Sequence, residues 1–204
     1  MKPILIATTN PAKLEEYRIL LRDFSLEPVS LRQAAISDAP EETGNTFREN
    51  ALIKARFYFA CANIPTLADD GGLEIDALGG EPGVRSHRWL SEAENTDRAL
   101  ADEVIRRMEG VEQRTARLHV ALALIYRSHG ELRERAAEAA IEGVIAPRAY
   151  PSIRPGFPYR AVLWLPGRRC YLGELGDEEE ARISQRRTAI AELGSELARI
   201  AAGG

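Results

Sequence analysis

The chain has 204 residues, 45% of them hydrophobic, with 27 basic and 31 acidic side chains for a net charge of -4. Such a chain is long enough to bury a core as a single domain spanning residues 1–204, and its mixed, slightly acidic surface argues against a nucleic-acid polymer or an anionic membrane as partner. No apolar run reaches bilayer length and the short run after Met1-Lys2-Pro3 is too brief for a signal-peptide core, so a cytoplasmic protein is expected.

Ile4 to Ala7 predicts a short strand, followed by Thr8-Thr9-Asn10 and a helix over Lys13 to Leu21 with apolar positions at Leu14, Tyr17, Leu20 and Leu21. Thr and Asn are good cap residues and Pro11 suits a first helical turn. A strand–turn–helix of this kind leaves backbone N–H groups and the positive helix end above the strand, which suits a phosphate, and Lys13 would add a full charge. A plain capped helix with a solvated lysine fits the same residues.

Phe24 to Val29 predicts a second strand, and Ser37 to Asn45 a polar loop carrying Glu41 and Glu42. Thr46 with Glu49 forms a capping box that starts a helix running to Phe59 or beyond. Asn50 and Lys54, four apart, share a face of it and can reach one ligand. A short buried strand, Ile64 to Ala68, then ends on two carboxylates, Asp69 and Asp70, with Gly71 and Gly72 expected to turn the chain. A carboxylate there can face a ligand at a strand end. Asp and Gly are also ordinary surface-turn residues.

Leu73 to Ile75 reads as a further strand, Gly79, Gly80, Pro82 and Gly83 as an irregular loop, and Glu92 to Met108 as a surface helix. Alternation from Leu118 to Tyr126 predicts a strand, and Ser128-His129-Gly130 a hairpin turn. The Ala-, Glu- and Arg-rich segment Glu131 to Glu142 has helical propensity, but its place after that turn argues for the returning strand. The prolines and aromatics of Tyr150 to Pro166 read as a loop entering a short strand, with Phe157, Tyr159 and Trp164 either stacking on a base or filling the core. Glu178 to Ala202 predicts one amphipathic helix with Arg182, Arg186 and Arg187 in its first third. Cys61 and Cys170, far apart and outside any metal-ligand spacing, read as buried thiols.

Three stretches in order, Thr8-x-Asn10-x-x-Lys13, then Glu42-Thr43-Gly44-x-Thr46-Phe47-x-Glu49-Asn50-Ala51-x-x-Lys54-Ala55, then Ala68-Asp69-Asp70-x-Gly72-Leu73-x-x-Asp76-Ala77-Leu78-Gly79-Gly80-x-Pro82-Gly83, resemble the inosine triphosphate pyrophosphatase (Ham1-like) family. The match is dense over residues 1–90 and holds more in layout than in motif beyond them. The resemblance implies an α/β fold with a long mixed β-sheet flanked by helices, two lobes around a central cleft, and a homodimer. It implies Mg²⁺-dependent hydrolysis of non-canonical purine nucleoside triphosphates such as ITP, dITP and XTP to monophosphate and pyrophosphate. By matching position, Thr8, Thr9, Asn10 and Lys13 would hold the triphosphate, Lys54 would neutralise charge, Glu42 and Asp70 would bind the metal, and Asp70 would activate water. Gly71, Phe157, Tyr159, Arg160, Gln185 and Arg186 would contact substrate.

The departures gather where the base is read. The family's Gly-Phe-Gly-Tyr-Asp-Pro is here Gly156-Phe157-Pro158-Tyr159-Arg160-Ala161, its Ser-His-Arg is Ser184-Gln185-Arg186, the lysine before that is Glu180, and Gly71 replaces a serine. A 6-oxopurine is selected by donors at O6, so these changes predict weaker discrimination. An active pyrophosphatase with altered base preference, a non-catalytic nucleotide-binding regulator and an interaction protein are the three readings. Asp70, Glu42, Lys13 and Lys54 together favour the enzyme.

Overall fold

The computed structural model describes residues 1–203. Seven strands form one mixed sheet in the order β2-β1-β3-β4-β5-β6-β7, flanked by helices: β1 (Lys2–Ala7), β2 (Leu26–Ser30), β3 (Thr66–Ile75), β4 (Thr115–Ser128), β5 (Glu131–Ile145), β6 (Leu163–Leu165) and β7 (Cys170–Tyr171). β1 pairs in parallel with both β2 and β3, whereas β5, β6 and β7 pair antiparallel. The chain divides into two compact units.

The first unit comprises Met1–Asp70, Val120–Ala139 and the chain from Arg186 onward. Its helices are α1 (Pro11–Leu20), α2 (Phe47–Ala62), α5 (Gln185–Glu192) and α6 (Gly194–Ala202). Ile4, Ile6 and Leu67 pack with Val120, Leu122 and Leu124 against Tyr17, Leu20, Ile190, Leu193 and Leu197. Every second residue of a strand faces the same side, so the face carrying Leu67 also carries Asp69, and Ala68 and Asp70 face the other way. α2 starts as expected: Thr46 accepts from the Glu49 amide and the Glu49 side chain returns to the Thr46 amide. Its buried stripe runs through Phe47, Asn50, Ala51, Ala55, Tyr58 and Phe59. Cys61 falls off that stripe and is exposed, and Cys170 is half-buried, which corrects the expectation of buried thiols.

β4 and β5 form the predicted hairpin. His129 and Gly130 take positive φ, 50° and 82°, as a two-residue turn between twisted strands requires. The turn overrides the helical propensity of Glu131 to Glu142, and the charged side chains find use as partners of α2: Arg56 binds Glu134 at 2.7 Å and Arg48 binds Glu138 at 3.5 Å.

The second unit comprises Gly71–His119 and Ala140–Gln185, with α3 (Asp97–Arg107) and α4 (Asp177–Ile183). Leu73, Ile75, Leu100, Val104, Met108, Ile141, Tyr159, Val162 and Leu163 lie in its core. Two expectations fail. The acid pair does not end a strand, because β3 runs on through Gly71 and Gly72, neither of which has the positive φ of a turn. Gly72 is required by close approach instead: a Cβ there would stand 1.9 Å from the Ser86 Oγ, which accepts from the Leu73 amide and donates to the Gly83 carbonyl. The long C-terminal helix is three helices, interrupted at Ser184, whose backbone is extended at φ -56° and ψ 129°, and at Leu193. α3 also starts later than expected, capped by Thr96. Among the described residues no helix is long and apolar enough to cross a membrane.

Candidate active site

Asp69 and Asp70 point to opposite faces of β3 and meet different partners. On the α2 face, Asp70 accepts from the Asn50 amide at 3.1 Å and binds the Lys54 ammonium at 3.0 Å. Lys54 also reaches Glu42 at 3.4 Å. Asn50 is 1% exposed, and its carbonyl accepts from the Gly44 amide at 2.8 Å, so one side chain ties the Glu42 loop to Asp70. Asn50 and Lys54 share a helix face, as their spacing predicts, and both converge on Asp70.

On the other face, Asp69 takes the Lys13 ammonium of α1 at 3.2 Å and the Arg186 guanidinium of α5 at 3.1 Å, and Arg186 reaches Glu16 at 3.1 Å. Lys13 is therefore a buried, paired cation. Asn10 caps α1, its carbonyl accepting from the Ala12 and Lys13 amides at 2.9 and 3.3 Å. Those amides are consequently engaged and Pro11 has none, so the anion-binding capacity of this turn rests on side chains, which corrects the expectation of free N–H groups. Beside the turn lies a cavity of about 740 Å³ lined by Thr8, Asn10, Leu14, Leu31, Ile36 and Tyr58 among others.

The pKa values of the two neighbouring carboxyls are shifted in opposite directions. Burial works to raise Asp69, but Lys13, Arg186 and Lys54 outweigh it and keep its carboxyl well below the usual range. Burial raises Asp70, and Glu42 adds to this against the pull of Lys54 and Asn50. For Lys54, burial opposes the charge, yet Asp70, Asp69 and Glu42 together hold its pKa above the ordinary value. Burial lowers Lys13. In a ¹³C titration of the metal-free protein, Asp70 is expected to titrate above the ordinary aspartate value and Asp69 below it. Coincident titration at the ordinary value would contradict this separation. The stability signs differ as well: the Asp69 contribution is present above its unfolded pKa and is lost as pH falls through its folded pKa, whereas acidification through the folded pKa of Asp70 relieves a cost.

Glu42 and Asp70 already share one cation, the Lys54 ammonium, and two carboxylates supplemented by phosphate oxygens and water are a donor set that Mg²⁺ accepts. The residues fit the metal. Among the described residues, no three His, Cys, Asp or Glu side chains gather to hold an ion by themselves.

The Ham1 family model matches residues 4–196. The chain belongs to the Ham1 family. A dITP/XTP pyrophosphatase of Geobacillus kaustophilus is 40% identical, over 100% of this chain and 98% of its own, and that of Bacillus subtilis is 37% identical over 95% and 96%. Among solved structures, a Ham1 protein from Coxiella burnetii superposes with a TM-score of 0.84 at 33% identity, covering 97% of this chain and 98% of its own. The Staphylococcus aureus Ham1 protein gives 0.82 at 28%, covering 96% and 98%.

Of the residues the Ham1 resemblance singled out, Thr8, Thr9, Asn10, Lys13, Glu42, Lys54, Asp70 and Arg186 lie in the first unit, and Gly71, Phe157, Tyr159, Arg160 and Gln185 in the second. Within the second unit, Arg160 and Glu180, two separate departures from the Ham1 pattern in the sequence, are partners: their side chains meet at 2.5 Å, both under 10% exposed. The Arg160 guanidinium lies 3.7 Å over the Phe157 ring, and Arg154 binds Glu180 at 3.2 Å. Tyr159 belongs to the core, its hydroxyl donating to the Ser86 carbonyl at 2.5 Å. Two residues were missed as site members: Asp69, quoted in the motif but given no role, and Glu16. Strand alternation at Asp69-Asp70 is the signal that could have separated the acids' roles.

Proposed function

We propose that this chain is a Mg²⁺-dependent pyrophosphatase of non-canonical purine nucleoside triphosphates such as ITP, dITP and XTP, releasing the monophosphate and pyrophosphate. The observation that carries this reading is the Asp70–Lys54–Glu42 group of a Ham1-family chain, its Asp70 buried and held by Asn50. The whole chain acts as one domain, 1–204, in the cytoplasm and as a homodimer, without nucleic acid or membrane as partner.

Asp70 accepts the proton of the attacking water. Lys54 stays protonated and offsets the charge that develops on the non-bridging oxygens as the bond between the α- and β-phosphates breaks. Thr8, Thr9, Asn10 and Lys13 take the phosphate tail. Glu42 and Asp70 would hold Mg²⁺, which when bound polarises phosphate oxygens and lowers the pKa of water.

A pyrophosphate-release screen over ITP, dITP, XTP and the four standard triphosphates, with Mg²⁺ and with EDTA, tests this. Release is expected with the deaminated purines and is lost in EDTA. Nucleotide binding with no release from any triphosphate would instead make the chain a regulator.

A further inference from the structure

The two acids assigned to the metal stand on elements of unlike kind. Asp70 belongs to β3 and is buried, whereas Glu42 lies in the loop before α2 and is half-buried. Mg²⁺ demands near-ideal geometry of its ligands, so the loop has to be fixed against the strand. The first turn of α2 fixes it. Three consecutive amides of the loop are taken by two of its side chains: Glu49 Oε2 accepts from Asn45 at 2.6 Å and from Thr46 at 3.2 Å, and Asn50 Oδ1 accepts from Gly44 at 2.8 Å. Asn50 then goes on to donate to Asp70 Oδ2 at 3.1 Å, while Lys54 takes Oδ1 at 3.0 Å. The chemistry admits little else at position 50. The Gly44 amide needs an acceptor, an ionised Asp70 needs a donor, and a short carboxamide supplies one of each. An aspartate would set a third acid against Asp70, and an aliphatic side chain would leave both groups unpaired where Asn50 is 1% exposed. Gly44 is matched to its partner: a Cβ there would stand 2.7 Å from Asn50 Oδ1.

We propose that Asn50 is a positioning residue for the divalent cation: it ties the Glu42 loop and the Asp70 carboxyl to one helix and so sets how tightly the two acids hold the ion together. The inference rests on the pyrophosphatase reading above and adds to it a residue that acts through the two acids. Ligands fixed before the ion arrives need no ordering when it binds. Removing a side chain that orients metal ligands lowers metal affinity by about ten- to a hundredfold.

The test uses the full-length protein stripped of metal, with Mn²⁺, which takes the same oxygen donors as Mg²⁺, as the probe. Free Mn²⁺ is read by electron paramagnetic resonance, and the Mg²⁺ dependence of pyrophosphate release from ITP is measured alongside. Asn50→Leu keeps the approximate volume and removes both bonds. It is expected to weaken Mn²⁺ binding by about ten- to a hundredfold and to raise the Mg²⁺ concentration giving half-maximal rate by a similar factor. Excess Mg²⁺ should restore most of kcat, and KM for ITP at saturating Mg²⁺ should stay near its wild-type value. Gly44→Ala pushes the loop away from Asn50. It is expected to move both readouts in the same direction, and it serves alone if Asn50→Leu does not fold. A purely structural role would lower the melting temperature in EDTA without moving the Mn²⁺ affinity of the folded variants. Unchanged Mn²⁺ affinity in a folded variant of either kind overturns the proposal. So does a loss of kcat that excess Mg²⁺ does not restore, or a wild-type protein that binds no Mn²⁺. Wild-type protein that holds Mn²⁺ but hydrolyses no triphosphate would instead sink the pyrophosphatase reading, and the Mn²⁺ titrations would still decide the role of Asn50.

Discussion

Asp70→Asn is expected to reduce kcat for ITP by about three orders of magnitude while the protein stays folded. The substitution keeps shape and volume, and an amide oxygen can still accept from Asn50, so the tie from Gly44 through Asn50 to β3 survives. Chemistry is what disappears. An amide is no base near neutral pH and is a poor Mg²⁺ ligand, and Lys54 keeps only Glu42 of its two contacts. Pyrophosphate release and a thermal melt of the same preparation check this. Undiminished turnover in a folded variant would remove Asp70 from the reaction and with it the assignment of the site.

Arg160→Asp is expected to destabilise the protein by about 3–5 kcal/mol, because it sets an acid against Glu180 in a place where both wild-type side chains are under 10% exposed. For a chain of this size that lowers the melting temperature by roughly 10 °C. Arg154, 44% exposed, remains near Glu180 but cannot reproduce the 3.7 Å stack on Phe157. Adding Glu180→Lys restores opposite charges and should recover most of the loss. A double-mutant cycle measures the coupling, and simple additivity would show that the pair is not a unit. This pairing alters what the sequence implied about base preference. Arg160 and Glu180, two of those departures, compensate each other, so Gln185 is the one we propose bears on recognition of O6.

Local chemistry was legible wherever a few neighbouring residues decide the outcome. The Thr46–Glu49 capping box, the Asn10 cap and the His129-Gly130 turn are each set within four residues, and each was readable. What escaped was set at longer range. Gly71-Gly72 looked like a turn because the glycine signal is the same whether it answers to φ or to a neighbour's bulk, and the neighbour, Ser86, lies fourteen positions from Gly72. Arg160 and Glu180 looked like two losses because an ion pair across a loop and a helix has no local signature. Lys13 could be solvated or buried on its own pattern, and only Asp69 decides between them.

The division of labour on β3 also makes the strand's alignment a functional quantity. A slip of one residue against β1, where Ala68 now sits opposite Ala7, would bring one acid to the wrong face and leave the other group without its acid: Asp69 would arrive among Asn50 and Lys54, and Ala68 between Lys13 and Arg186. Composition and net charge would not change, but the Lys13 and Arg186 pairs with Asp69 would be lost. The same slip would turn Leu67 out of its core, so apolar packing guards against it, and a misaligned chain would be recognisable as one that retains strand content but has lost both its cooperative melt and its turnover.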